Sequence, residues 1–99
     1  MKSYDGALGY NPTHIVAALA TTTVKSGAGV LHSIVINTKG AAANTLTVYD
    51  NTTGSGTVLA VIDTVNLSTN ALLYDVAFTT GLTVVSATGT GADLTISWG

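Results

Sequence analysis

The sequence predicts an all-β protein: an antiparallel β-sandwich of about seven or eight strands, immunoglobulin-like or jelly-roll-like. Three observations carry that expectation. Val, Ile and Thr, which are stiff at χ1 and poor helix formers, recur in short runs along the chain. No window places apolar residues at i, i+3, i+4 and i+7 over three helical turns. The runs are separated by Gly-, Asn-, Ser- and Thr-rich stretches that tolerate turn geometry.

Taken in order, residues 1–12 hold Tyr4, Gly6, Gly9, Tyr10 and Pro12 without periodicity, and read as an extended N-terminal arm before the first strand. Residues 13–99 read as a single domain. Its first segment, Thr13 to Val24, is Thr-, Val- and Ala-rich and makes one long strand or two short ones. Val30 to Asn37 is apolar on both faces, which marks a central strand; strict alternation puts Val30, Ile34 and Ile36 on one side and Leu31 and Val35 on the other. Thr45 to Tyr49 alternates, with Leu46 and Val48 inward. Val58 to Ile62 is again apolar on both faces. Leu72 to Phe78 sets Leu72, Tyr74, Val76 and Phe78 against Leu73, Asp75 and Ala77. Leu82 to Ala87 follows, and Asp93 to Trp98 turns Leu94, Ile96 and Trp98 inward. The expected core is Ile34, Ile36, Leu46, Val48, Leu59, Val76, Val84, Leu94 and Ile96.

Composition narrows the function classes. The chain of 99 residues has 8% charged residues, supplied by three lysines (Lys2, Lys25, Lys39) and five aspartates, against about 25% in an ordinary soluble domain. Mean hydropathy is +0.48. A surface left to Thr, Ser, Asn and Gly reads as one that neighbours cover. The net charge of −2 argues against nucleic acid and anionic membrane, both of which call for clustered Lys and Arg. With zero cysteines there is neither a disulfide framework nor a thiolate metal site. No apolar signal core follows Lys2, and the apolar run from Ile15 to Ala20 is too short to span a bilayer. The expectation is an intracellular origin, or stability gained by association. Asn51-Thr52-Thr53 and Asn66-Leu67-Ser68 match the glycosylation pattern but carry little weight without such a signal.

Catalytic chemistry is sparse. Ser26 or Ser86 could pair with His14 or His32, but no G-x-S-x-G elbow occurs, and His32 reads as a satisfied core or interface histidine. Asp50 with Asn51 and Thr52 resembles the start of a calcium loop, yet its twelfth position is Val61 where a bidentate glutamate belongs. A carboxylate capping the backbone N–H groups of the turn explains Asp50 better. Asp63 and Asp75 would form a metal site only if they met across adjacent strands. The pairs Gly27-Ala28-Gly29, Gly54-Ser55-Gly56 and Gly89-Thr90-Gly91 lack the third glycine and helix of a dinucleotide site. Tyr4, Tyr10, Tyr49 or Trp98 could form a sugar-stacking platform, although the phase of Trp98 makes it a core or interface residue. No catalytic, cofactor-binding or metal residue is assigned. The candidate interface residues are Tyr4, Tyr10, Pro12, Tyr49 and Trp98.

The strand and turn sequences themselves, Gly29-Val30-Leu31-His32-Ser33-Ile34-Val35-Ile36-Asn37-Thr38, Thr45-Leu46-Thr47-Val48-Tyr49-Asp50-Asn51-Thr52, Gly56-Thr57, Leu73-Tyr74-Asp75-Val76, Thr80-Gly81-Leu82-Thr83-Val84-Val85 and Ala92-Asp93-Leu94-Thr95-Ile96-Ser97-Trp98, give the chain a family resemblance. From residue 29 to 98 it is similar to the small all-β structural proteins encoded by tailed bacteriophages. The resemblance implies a non-enzymatic virion component without cofactor, synthesised in the host cytoplasm. Its first station would be the capsid surface, as a decoration (cement) protein over capsomer junctions. Its partners would be the major capsid protein and copies of itself, in a homo-oligomer such as a trimer. A neck, tail or fibre component and a carbohydrate-binding module are the alternatives. These motifs make strands and turns, so the resemblance transfers no functional residue.

Overall fold

The computed structural model describes residues 9–99. They form eight strands: β1 (Asn11–Ile15), β2 (Thr21–Ser26), β3 (Gly29–Thr38), β4 (Thr45–Asp50), β5 (Thr57–Asp63), β6 (Ala71–Phe78), β7 (Gly81–Ala87) and β8 (Asp93–Trp98). Two four-stranded sheets result, in the orders β1-β8-β3-β6 and β2-β7-β4-β5, with every pairing antiparallel. The pairs β1–β8, β2–β7, β3–β6 and β4–β5 show how the chain gets there. It doubles back at the β4–β5 connection and the doubled ribbon then rolls up, which also brings β3 to β8 and β4 to β7. This order is a jelly roll, one of the two sandwich types the sequence left open.

One core fills the space between the sheets. Leu31, Ile34, Ile36, Phe78, Leu94 and Ile96 from the first sheet meet Leu46, Val48, Ile62, Leu82 and Val84 from the second. Of the expected core, Leu59 and Val76 are only partly buried and pack against its margin. The inward pattern of β3 departs from strict alternation. His32 has no ladder partner in β6 or β8, and the register shifts on either side of it. Leu31 and Ile34 therefore both point inward, and Leu31 is fully buried where alternation from Ile34 had turned it out.

The first segment takes the second of its two readings, and the boundary of the arm is corrected. Thr13 to Val24 holds two strands, and the first begins at Asn11, with Asn11 paired to Trp98 and Pro12 to Ser97. Pro12 thus lies inside edge strand β1. Tyr4, and the arm before residue 9, fall outside the described residues.

The four edge strands are each interrupted. Pro12 offers β1 no N–H, and β2 shifts register between Thr23 and Lys25. On the other side, β5 carries an extra residue at Leu59, and β6 shifts opposite His32 with Asp75 at φ 49°. Lysines and prolines commonly blunt sheet edges. Here bulges do most of that work.

Candidate functional site

Both histidines stand on the first sheet, each against an aspartate. On its outer face His14 of β1 binds Asp93 of β8 through Nε2, 2.9 and 3.0 Å from the two carboxylate oxygens. Asn37 of β3 donates to the same carboxylate at 2.9 Å and to Thr95 Oγ1 at 3.1 Å. The Asn37 amide and then His14 hold the Asp93 carboxyl below its usual range. At the other end of this sheet His32 Nδ1 lies 2.5 Å from Asp75, and Tyr10 stacks on the imidazole with ring centroids 4.0 Å apart. The bulge that breaks the β3 ladder turns His32 out of the core and into this contact. Sequence reasoning missed both pairs, because their members are far apart in the chain.

The outward side of the second sheet differs in kind. A row runs across it from Thr21 to Val85, Thr47 and Val61, and a parallel one from Thr23 to Thr83 and Tyr49. These rows hold no charge; the sheet's charged ladder positions lie at its margins, Asp63 opposite Thr45, Asp50 opposite Thr57 and Lys25 opposite Leu82. Asp63 turns into its own loop and accepts from the Asn66 side chain and from Val65 and Asn66 N–H, which lower its pKa. Asp63 and Asp75 sit in different sheets, so no metal pair forms between them.

The remaining candidates separate. Trp98 is half-buried; its Nε1 donates to Thr13 Oγ1 at 2.9 Å, and Lys25 Nζ lies 5.5 Å from the ring centroid. It packs against the core margin, as its phase implied, with the lysine over its ring. Tyr10 is 45% exposed, Pro12 is exposed on the β1 edge, and Tyr49 lies on the other sheet. These residues do not make one patch. Asp50 caps a turn, though not the one that follows it in sequence: it accepts from Thr79, Thr80 and Gly81 N–H, between β6 and β7. Those bonds, Thr80 foremost, hold its pKa below the usual value.

The clearest concavity is a cleft of about 460 Å³ between the end of β3 and residues 67–70 of the β5–β6 connection. Two bonds span it. Ile36 N–H donates to Asn70 O at 2.7 Å, and Lys39 Nζ to Leu67 O at 3.1 Å. Sequence reading passed this segment over because Ser68, Thr69 and Asn70 carry only an ordinary turn signal. Among the described residues no group of three or more His, Cys, Asp or Glu side chains could hold a metal. Comparison with family models, curated proteins and solved structures finds no match for this chain.

Proposed function

We propose that this protein is a structural component of a tailed-phage virion, placed on the capsid as a decoration protein that spans capsomer junctions. The observation that carries the proposal is the outward row Thr21-Val85-Thr47-Val61 of the second sheet, which is β-branched throughout and holds no charged residue, the neighbouring Thr83 being buried beneath the β4–β5 connection. Val61 there is 65% exposed, with Leu73 of the first sheet at 69% and Val16 and Leu19 of the β1–β2 connection at 61% and 52%. Burying about 300 Å² of apolar surface per copy yields about 7 kcal/mol gross, much of it offset by the cost of association. Repeated over many copies, a small net gain raises the barrier to opening a shell. The resemblance of residues 29–98 to phage structural proteins points the same way.

The test is made on particles. Particles lacking the protein are expected to assemble but to burst at lower temperature or under osmotic shock, and wild-type particles to carry hundreds of copies. Equal resistance with and without it rejects cementing, and a dozen copies or fewer moves the protein to the neck, tail or fibre. Thr47→Lys, which puts a charge in the middle of the row, is expected to weaken attachment while the isolated chain stays folded. The arm is tested by deleting residues 1–8 only, because Asn11 and Pro12 belong to β1.

A further inference from the structure

From the terminal strand and the connection behind it we infer that β1 is an exchange strand: it leaves its own β8 and pairs with β8 of a second copy of this chain, which returns its own β1. β1 is the first strand and lies at a sheet edge, so it can leave without drawing any other strand with it. It fills little of the core. Of its five residues only Ile15 is buried; Thr13 is half-buried, and Asn11, Pro12 and His14 are exposed.

Beyond its ladder with β8, specific side-chain contacts hold β1. Trp98 Nε1 donates to Thr13 Oγ1 at 2.9 Å, His14 pairs with Asp93 at 2.9 Å, and just before the strand Tyr10 stacks on His32. The β1 of a second copy meets the same partners in the same register, so only the connection differs between the closed and exchanged forms. That connection, residues 16–20, passes from the first sheet to the second, and all five of its residues are exposed. It is folded close against the body: a Cβ on Gly91 would fall 2.4 Å from the Ala18 carbonyl oxygen. Short, constrained hinges invite exchange. Folded back, this one leaves Val16 61% and Leu19 52% exposed; opened beside the hinge of a second copy, it covers them. The hinge sequence, Val16-Ala17-Ala18-Leu19-Ala20, has no charge to keep two copies of it apart. Reciprocal exchange closes on a pair. The inference does not depend on the virion reading.

The experiment traps exchange with thiols, in a chain that has no cysteine of its own. Pro12→Cys and Ser97→Cys face each other across the β1–β8 ladder, at a spacing that a disulfide can bridge. In one chain the two substitutions are expected to close an internal disulfide when oxidised in dilution. The two single variants, one of them ¹⁵N-labelled, are then incubated together at high concentration below their melting temperature and oxidised, and the pairings are read by mass spectrometry. The mixed disulfide between chains is expected to exceed each like-with-like disulfide about tenfold, because exchange holds the two thiols in register. A Gly-Ser-Gly-Ser insertion after Ala18 in both variants relaxes the hinge and is expected to lower the mixed product severalfold. The inference is overturned if no disulfide forms between chains, if the pairings follow the proportions of random collision, or if the lengthened hinge gives the mixed product as readily as the original.

Discussion

Strand β4 is held at both ends by one polar side chain, and the two ends use different chemistry. At its start Asn44 is fully buried. Its amide donates to Ser86 Oγ, Ala87 O and Thr88 O at 3.0–3.1 Å, and Thr64 Oγ1 donates to its Oδ1 at 2.7 Å. At the far end the Asp50 carboxylate, only partly covered, gathers the N–H groups of Thr79, Thr80 and Gly81. The first junction is neutral and dry, the second ionised and near water. A neutral amide can both donate and accept inside the protein without a charge to desolvate. A carboxylate only accepts, which suits a turn that presents N–H groups alone. One end is therefore insensitive to pH and the other is not.

Replacing the buried amide is expected to have the largest effect. Asn44→Ala takes the amide from Ser86 Oγ and Thr88 O, leaves Ala87 O only the Thr88 hydroxyl and the Thr64 hydroxyl only its longer bond to the residue 44 carbonyl, at a cost of about 3 kcal/mol in denaturant unfolding, much the same at pH 7 and pH 4. Asn44→Asp sharpens the contrast. A buried carboxylate facing carbonyl oxygens has its folded-state pKa raised, so that variant is expected to be least stable at neutral pH and to regain stability on acidification.

Glycines at the two ends give the next comparison. Gly89, at φ +64°, sits at the Asn44 end, where a Cβ would run into the backbone carbonyls of Ala41 and Ala42. Gly56, at φ +99°, is near the Asp50 end, where a Cβ would meet the Asn51 amide, which can turn away. Gly89→Ala is expected to cost about 2 kcal/mol or more, against about 1 kcal/mol for Gly56→Ala. Equal costs would show that the Asn44 junction yields as readily as its counterpart.

The smallest effect belongs to Asp50 and is read in its pH dependence. Its folded-state pKa is depressed, so its contribution is complete above the unfolded carboxylate value of about 3.9 and is lost as pH falls through the folded value. Melting temperatures from about pH 7 down to pH 2 should fall less steeply for Asp50→Asn than for wild type. The slope should not vanish, because Asp63 and Asp93 are depressed as well. A slope identical to wild type would mean that the Asp50 bonds contribute nothing to stability.

The strands were legible because alternation survives wherever one face is buried. Thr45 to Tyr49 and Asp93 to Trp98 read correctly, as did the inward set Leu46, Val48, Leu94 and Ile96. Alternation failed at His32, since a bulge shifts parity without leaving a mark in composition. Pro12 was placed in the arm because residues 1–12 show no alternation, yet an edge strand accepts a proline and so few residues leave no period to read. Asn44 went unnoticed, and so did the partners of His14, His32 and Asp50, because each contact joins residues separated by 20 or more positions. The cleft is invisible to pattern for the same reason: it needs the β5–β6 connection laid against the end of β3.

The broken edges govern what happens when many copies are crowded together. A strand added to an edge needs a run of N–H and C=O groups in even register, and cross-β growth needs such a run on every copy. Each edge here withdraws that run part-way, by Pro12 in β1, by the shift before Lys25 in β2, by the extra Leu59 in β5, and by the φ of Asp75 in β6. A protein so poor in charge has little electrostatic repulsion to keep its copies apart. Geometry takes over that task, so that crowded copies can meet through side chains without zipping into fibrils.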